Sequence, residues 1–318
     1  MKTLKGKIAV VAGATRGCGR GIARALGEAG ATVYCTGRSV HGNSSPYKRP
    51  ETIEETAEMV TAVGGVGIAV RVDHSIEAEV KALFERVASE HGQLDVLVNS
   101  IAGQDPVLGG WGSEFWETDL SNADMALRQT LLSHVITAKY AALLMIKKRR
   151  GLIVEVTEGE FLTGGFNVLH DLVKSGTKAL VLHLAEALHK NRVAAIAITP
   201  GFLRSEMMLE HFGVTEENWR DGGKKDKNFL ESESPLYIGR AVAALAADKK
   251  VLKKTGDVTS SWELAREYGF TDHDGRKPDW GKHFEKIAPS IGLTDGLLRH
   301  IDLLDRLKRR AKRYVGKK

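Results

Sequence analysis

The stretch "VVAGATRGCGRGIA", residues 10–23, decides how the rest of the chain is read. A short apolar run, Ile8 to Ala12, stops at Gly13, and further glycines follow at 17 and 19 before an amphipathic segment begins. The spacing is Gly-x3-Gly-x-Gly. A phosphate group needs backbone amides it can approach closely and the positive end of a helix dipole, and glycines in the turn leave that room. A glycine pattern between a strand and a helix predicts a dinucleotide site lined by Gly13, Thr15, Arg16, Gly17, Cys18 and Gly19.

Working outward, the same alternation continues to about residue 200. Ile8 to Ala12, Thr32 to Thr36, Gly67 to Val72, Leu94 to Val98, Leu152 to Val156 and Ala194 to Ile198 are short, rich in Val and Ile, and bounded by glycine or polar residues, as buried strands are. Helical patterns fill the gaps at Gly21 to Glu28, Ile53 to Val63, Glu77 to His91, Ala126 to Lys147 and Val173 to Leu188. Strand and helix in regular alternation predict an α/β fold, a doubly wound parallel sheet with helices on both faces. Ligands of such sheets bind at the carboxyl ends of the strands.

The second strand, "VYCTGRSV", bears on the choice of dinucleotide. A NAD site carries an acid there for the ribose hydroxyl, whereas this chain offers Arg38, followed by Ser39. Arg38 and Arg16 suit a 2′-phosphate, so NADP(H) is the expected cofactor.

A chain of 318 residues, 42% hydrophobic and 27% charged, is long enough for one large core. Its net charge of +6 sits largely in the last thirteen residues, from Arg306 to Lys318, and not on a face of the domain. Nucleic-acid binding is therefore not expected; contact of that tail with an anionic membrane surface or an acidic partner ranks behind a solvated helix end. Cys18 and Cys35 lack the paired spacing of a disulfide framework or zinc site. With no secretory pattern in Met1 to Lys7 and no apolar run long enough to span a bilayer, a cytoplasmic location is expected.

After Gly201 the pattern loosens. Residues 203–233 are polar and glycine-punctuated, with Phe212, Trp219 and Phe229 among the charges, and read as a lid; its aromatic residues either line an apolar pocket or anchor the lid. A helix over 237–247 and a last strand over 257–260 complete a single domain, 1–265. The remainder, 266–318, reads as an extension ending in an amphipathic helix with Leu297, Leu298, Ile301, Leu304 and Leu307 on one face.

With these pieces in order, the chain resembles the short-chain dehydrogenase/reductase superfamily from residue 5 to about 265. "AGATRGCG" matches its glycine turn, Asp73 its adenine contact after the third strand, "LDVLVNSIAG" its fourth strand, Lys174 its active-site helix and "ITPGFLRSEM" the segment after the sixth strand. "GATVYCTGR", "FWET", "GLIV", "FNV" and "ELAREYGFTDHDGR" are similar to the branch containing the mammalian dehydrogenase/reductase family member 1. The resemblance implies a Rossmann-like fold. It implies a cofactor bordered by Asp73, His74, Asn99, Lys174, Pro200, Gly201 and Ser205. It also implies a homodimer or homotetramer formed through the helices of Ala126 to Lys147 and Val173 to Leu188.

The catalytic positions depart from the family pattern. A tyrosine four residues before the lysine handles the proton in relatives, and here His170 stands there in "FNVLHDLVKSGTKAL". The serine position falls on Thr157 or Glu158, and the asparagine position near Gln129 or Thr130; Lys174 alone is retained. Imidazole titrates near ~6.5, and a neighbouring ammonium lowers that and leaves the ring mainly uncharged at neutral pH, a good base and a poor acid, whereas a carboxylate such as Glu158, if it faced the ring, would favour the protonated form. A metal site of Glu158, Glu160 and His170 matches no recognised ligand spacing, so no metal is expected.

The expected activity is an atypical NADP(H)-dependent oxidoreduction of a small, largely apolar alcohol or carbonyl compound. His170 would be the acid-base group, Lys174 would hold the nicotinamide ribose, and Thr157 or Glu158 would meet the substrate oxygen. Two other readings stand beside it: a catalytically silent NADP(H)-binding protein, and a non-redox isomerase or lyase with His170 as base.

Overall fold

Short Val- and Ile-rich runs become strands because both faces of this sheet are covered. The computed structural model describes residues 2–43, 49–101, 115–159 and 168–287. Seven parallel strands, β1 (Ile8–Ala12), β2 (Thr32–Gly37), β3 (Val66–Arg71), β4 (Val96–Asn99), β5 (Gly151–Val156), β6 (Val193–Thr199) and β7 (Val258–Ser260), are ordered β3-β2-β1-β4-β5-β6-β7. This is the expected doubly wound α/β fold. Alternate residues feed two cores: Ala9, Val11, Val96, Val98, Ile196 and Ile198 pack on one face, and Ile8, Val10, Leu97, Ala195 and Ala197 on the other. Each buried Val, Ile or Leu side chain contributes about 1.5–3 kcal/mol of transfer free energy, which is why the strands read as unbroken apolar runs.

The helices are α1 (Gly17–Glu28), α2 (Ile53–Ala62), α3 (Glu77–His91), α4 (Ala123–Leu127), α5 (Ser133–Lys148), α6 (Val168–Leu188), α7 (Glu206–Phe212), α8 (Pro235–Ala247), α9 (Ser261–Tyr268) and α10 (Trp280–Ile287). Local chemistry explains several starts. Thr52 and Glu55 form a reciprocal capping box on α2, and Ser234 caps α8 ahead of Pro235. α1 and α8 cross with their backbones in close approach, because a Cβ on Gly21 would collide with the Pro235 carbonyl and one on Gly239 with the Gly21 carbonyl.

Four sequence expectations shift. The helix expected at Ala126 to Lys147 is α4 and α5 joined by a π-helical turn, Arg128–Leu132, at the place where the family's relay asparagine was sought. Thr130 there is buried and donates its hydroxyl to the Ala126 carbonyl at 2.6 Å. Second, Ala123–Lys148 is long and apolar enough to cross a membrane by length and composition, with hydropathy 1.2, though 44% of that window is buried within the fold. Third, the compact unit runs to Pro278 and not to 265. Asp272 accepts from Ser234 N at 2.9 Å, Tyr268 donates to Asp248 at 2.7 Å and Tyr237 donates to the Pro278 carbonyl at 3.2 Å, so 266–278 closes the domain. Of the second unit, Asp279–Lys318, only the start is described; the amphipathic tail helix lies outside the described residues.

The fourth concerns residues 203–233. Phe212, Trp219 and Phe229 are buried in a cluster of their own, with the rings of Phe212 and Phe229 stacked at 4.0 Å. Their mutual burial anchors the segment. Trp219 is also covered by the guanidinium groups of Arg204, Arg220 and Arg276 at 4.1, 4.6 and 4.5 Å from its ring centroid.

Candidate functional site

The glycine turn sits at the carboxyl end of β1, as the spacing requires. Gly13 has φ +81° and Gly17 φ +54°, a region that only glycine enters without strain. A Cβ on Gly13 would strike the Ser100 carbonyl at the end of β4, and one on Gly19 the Gly13 carbonyl. The turn is thus a close-fitted backbone cradle at the start of α1, a twelve-residue helix. Thr15 is buried, and its carbonyl is held by Arg20 Nε at 2.9 Å.

Arg16 reaches Glu51 with Nε at 3.2 Å, while its Nη2 is buried without a hydrogen-bond partner. An orphaned guanidinium nitrogen at the mouth of a glycine cradle fits an anionic group of a nucleotide. Arg38 is nearby in sequence order as expected, but it is paired with Asp73 at 3.8 Å, so both residues point to the same end of β2 and β3. Burial raises the Asp73 carboxyl, yet hydrogen bonds from Ser75 and the charge of Arg38 outweigh it and hold it below the ordinary carboxylate range. Ser39 is buried beside it and takes the Ile53 amide on its carbonyl at 3.1 Å.

Other expected cofactor residues are engaged within the fold. The His74 ring is buried between Thr36 (2.8 Å) and Thr137 (2.9 Å), and burial together with the charge of His134 drives it down to about 3, so it is neutral. Asn99 spends its amide on Glu155 at 2.7 Å and on the His134 carbonyl at 3.2 Å. His134 bridges Glu155 (2.6 Å) and the Ile101 carbonyl (3.0 Å), fixing the turn that lies against Gly13. Sequence reasoning missed this buried network, although an acid inside the apolar run "GLIVEV" was a visible signal.

After β6, Pro200 and Gly201 open the lid segment. The Gly201 amide donates to Glu233 at 2.9 Å; Glu233 also takes the Ser261 hydroxyl at 2.5 Å, and its other oxygen is buried without a partner. Burial pushes this carboxyl up to about 8. Ser205 caps α7 through Met208 N at 3.4 Å. Cys18 is half-buried. Burial and the carboxylates of Glu233, Glu206 and Glu158 push its thiol up to about 12 against the opposing charge of Lys174, which suits packing and not nucleophilic chemistry.

The proton-handling residues meet at the carboxyl end of β5 and the first turns of α6. His170 Nε2 lies 3.0 Å from Glu158, and Nδ1 lies 3.5 Å from Asp171. Burial raises the Glu158 carboxyl, but the His170 hydrogen bond and the charge of Lys174 prevail, so it is held as a carboxylate below its usual range. Lys174 stands one turn along α6 from His170, close enough to act on both Glu158 and Cys18. Thr157 is buried and donates its hydroxyl to the Lys174 carbonyl at 3.2 Å, whereas Glu158 is nearly half exposed. Of the two candidates for the serine position, Glu158 is the one turned to His170. Glu160 lies outside the described residues, and among the described residues no His, Cys, Asp and Glu group could hold a metal.

A family profile described as "Enoyl-(Acyl carrier protein) reductase" matches residues 13–257, and dehydrogenase/reductase SDR family member 1 of Mus musculus is 39% identical over 277 residues, 86% of this chain and 85% of that protein. The chain belongs to the short-chain dehydrogenase/reductase family. Members of this family of oxidoreductases bind a nicotinamide cofactor and small-molecule substrates. Among solved structures, a short chain dehydrogenase of Mycobacterium thermoresistibile superposes with a TM-score of 0.72 at 20% identity, covering 87% of this chain and 92% of that one. A metagenomic short-chain oxidoreductase in complex with NADP superposes with a TM-score of 0.59 at 24% identity, covering 81% and 96%. These two establish the fold.

Proposed function

We propose that this short-chain dehydrogenase/reductase uses NADP(H) to interconvert a small, largely apolar alcohol and its carbonyl compound, with His170 and Glu158 in place of the family's tyrosine and serine. The observation that carries the proposal is the 3.0 Å contact between Glu158 and His170, one helical turn from Lys174. The bound nicotinamide would accept or supply the hydride. In the oxidative direction His170 takes the proton of the substrate hydroxyl, and the Glu158 carboxylate stabilises the charge that forms on the ring. In the reductive direction the same ring returns the proton. Lys174 holds ribose hydroxyls and adds positive charge where a developing alkoxide needs it.

The cradle of Gly13, Gly17 and Gly19 with the orphaned Arg16 Nη2 supports dinucleotide binding, and Arg38 supports the 2′-phosphate. Exposed Val135 and Leu143 on α5 and Leu172 and Leu182 on α6 support a homo-oligomer built on these helices, and we place the protein in the cytoplasm. The test is nicotinamide absorbance with a panel of alcohols and aldehydes. His170→Ala should abolish substrate-dependent turnover while NADPH affinity changes less than about twofold. Binding without turnover in the native chain would favour the silent reading; turnover that survives in the variant would remove His170 from the chemistry.

A further inference from the structure

The first free amide of α1 is taken by the protein itself. Gly17 N–H donates to Glu206 Oε2 at 2.8 Å, and Glu206 Oε1 lies 3.8 Å from Arg20 Nε. These are groups a diphosphate would use on a glycine turn: an N-terminal helix amide and a neighbouring cation. Glu206 is the first residue of α7, which Ser205 caps, and α7 is tied again to the β2–α2 connection by Arg49–Glu210 at 2.6 Å. Glu206 also borders a cavity of about 610 Å³ shared with Arg49, Leu209 and Val214, so its carboxylate has space to move into.

Resting on the dinucleotide reading above, we propose that Glu206 is an affinity-setting residue of that site. Its carboxylate sits in the diphosphate seat on Gly17, and a dinucleotide binds by displacing it, shifting the start of α7. Two anions cannot share one amide, because the approach that satisfies the first repels the second. Cofactor affinity is therefore lowered by the cost of breaking the Gly17–Glu206 contact, and binding is coupled to the lid segment through α7.

The experiment measures dissociation constants of the full chain for NADPH and for inorganic pyrophosphate in the native protein, Glu206→Gln and Glu210→Gln. Loss of one charge-assisted hydrogen bond as competitor predicts about tenfold tighter NADPH and pyrophosphate binding in Glu206→Gln. Glu210→Gln, which loosens α7 without touching Gly17, should tighten each by no more than about threefold. Unchanged or weaker NADPH binding in Glu206→Gln overturns the proposal, as does tightening of NADPH without tightening of pyrophosphate. Equal tightening in Glu210→Gln also overturns it, because general loosening of α7 would then be the cause. If no form binds any dinucleotide, the cofactor reading falls and the role of Glu206 with it.

Discussion

Replacing Arg204 by methionine tests whether the 203–233 segment is held by a buried charge network. The Arg204 side chain is fully buried; it reaches Glu216 at 2.7 Å and the Ser232 carbonyl at 2.7 Å, covers Trp219, and lies 3.8 Å from Asp272, itself fully buried. Methionine keeps the aliphatic bulk but takes the cation away from the buried Asp272 carboxylate, which then has only the neutral donors of Ser234 and His273. Removing one partner of a buried pair costs about 3–5 kcal/mol. At about 2.1 cal/mol/K per residue over residues 1–278, unfolding entropy near Tm is roughly 0.6 kcal/mol/K, so Tm should fall by about 7 °C. Thermal melts of the full chain by circular dichroism read this directly. The double variant Arg204→Met/Asp272→Asn should recover part of the loss, since it removes the buried charge while the amide oxygen keeps the Ser234 N–H; recovery is incomplete because the amide nitrogen then opposes the His273 N–H. A drop below about 2 °C, or strict additivity of the two substitutions, would refute the argument.

Other expectations follow from single contacts. Arg38→Ala should weaken NADPH by tenfold or more while NADH affinity changes little, measured by fluorescence titration; equal losses for both would remove Arg38 from phosphate recognition. Glu233 gives a pH dependence whose sign is set by its raised value of about 8. Its contribution to stability is full below the unfolded value near ~4.3 and is lost as pH rises through about 8, because the folded state keeps a proton the unfolded state releases. Glu233→Gln should flatten the decline of Tm between those limits, and an unchanged slope would count against it. Gly21→Ala should lower Tm despite the better helix propensity of alanine. Its Cβ meets the Pro235 carbonyl, and overpacking costs about 1–3 kcal/mol against a gain of about 1.

Local sequence carried most of the fold. Strand and helix positions follow from apolar period and capping chemistry, both of which act over a few residues, and β1, α2 and α3 begin or end within a residue or two of where the pattern puts them. The glycine turn was legible for the same reason: the positive φ values at Gly13 and Gly17 are local demands on the backbone. His170 and Lys174 were legible as well, being one helical turn apart. What the sequence alone could not decide were meetings between distant segments. That Glu158 faces His170 while Thr157 turns to the Lys174 backbone depends on how β5 ends against α6. That Phe212, Trp219 and Phe229 bury one another, that Asp272 closes the domain over Ser234, and that Glu206 reaches Gly17 across 189 residues are products of packing. Periodicity specifies which face of an element is apolar; only the assembled sheet and its loops determine which polar side chains are brought within hydrogen-bonding distance of each other.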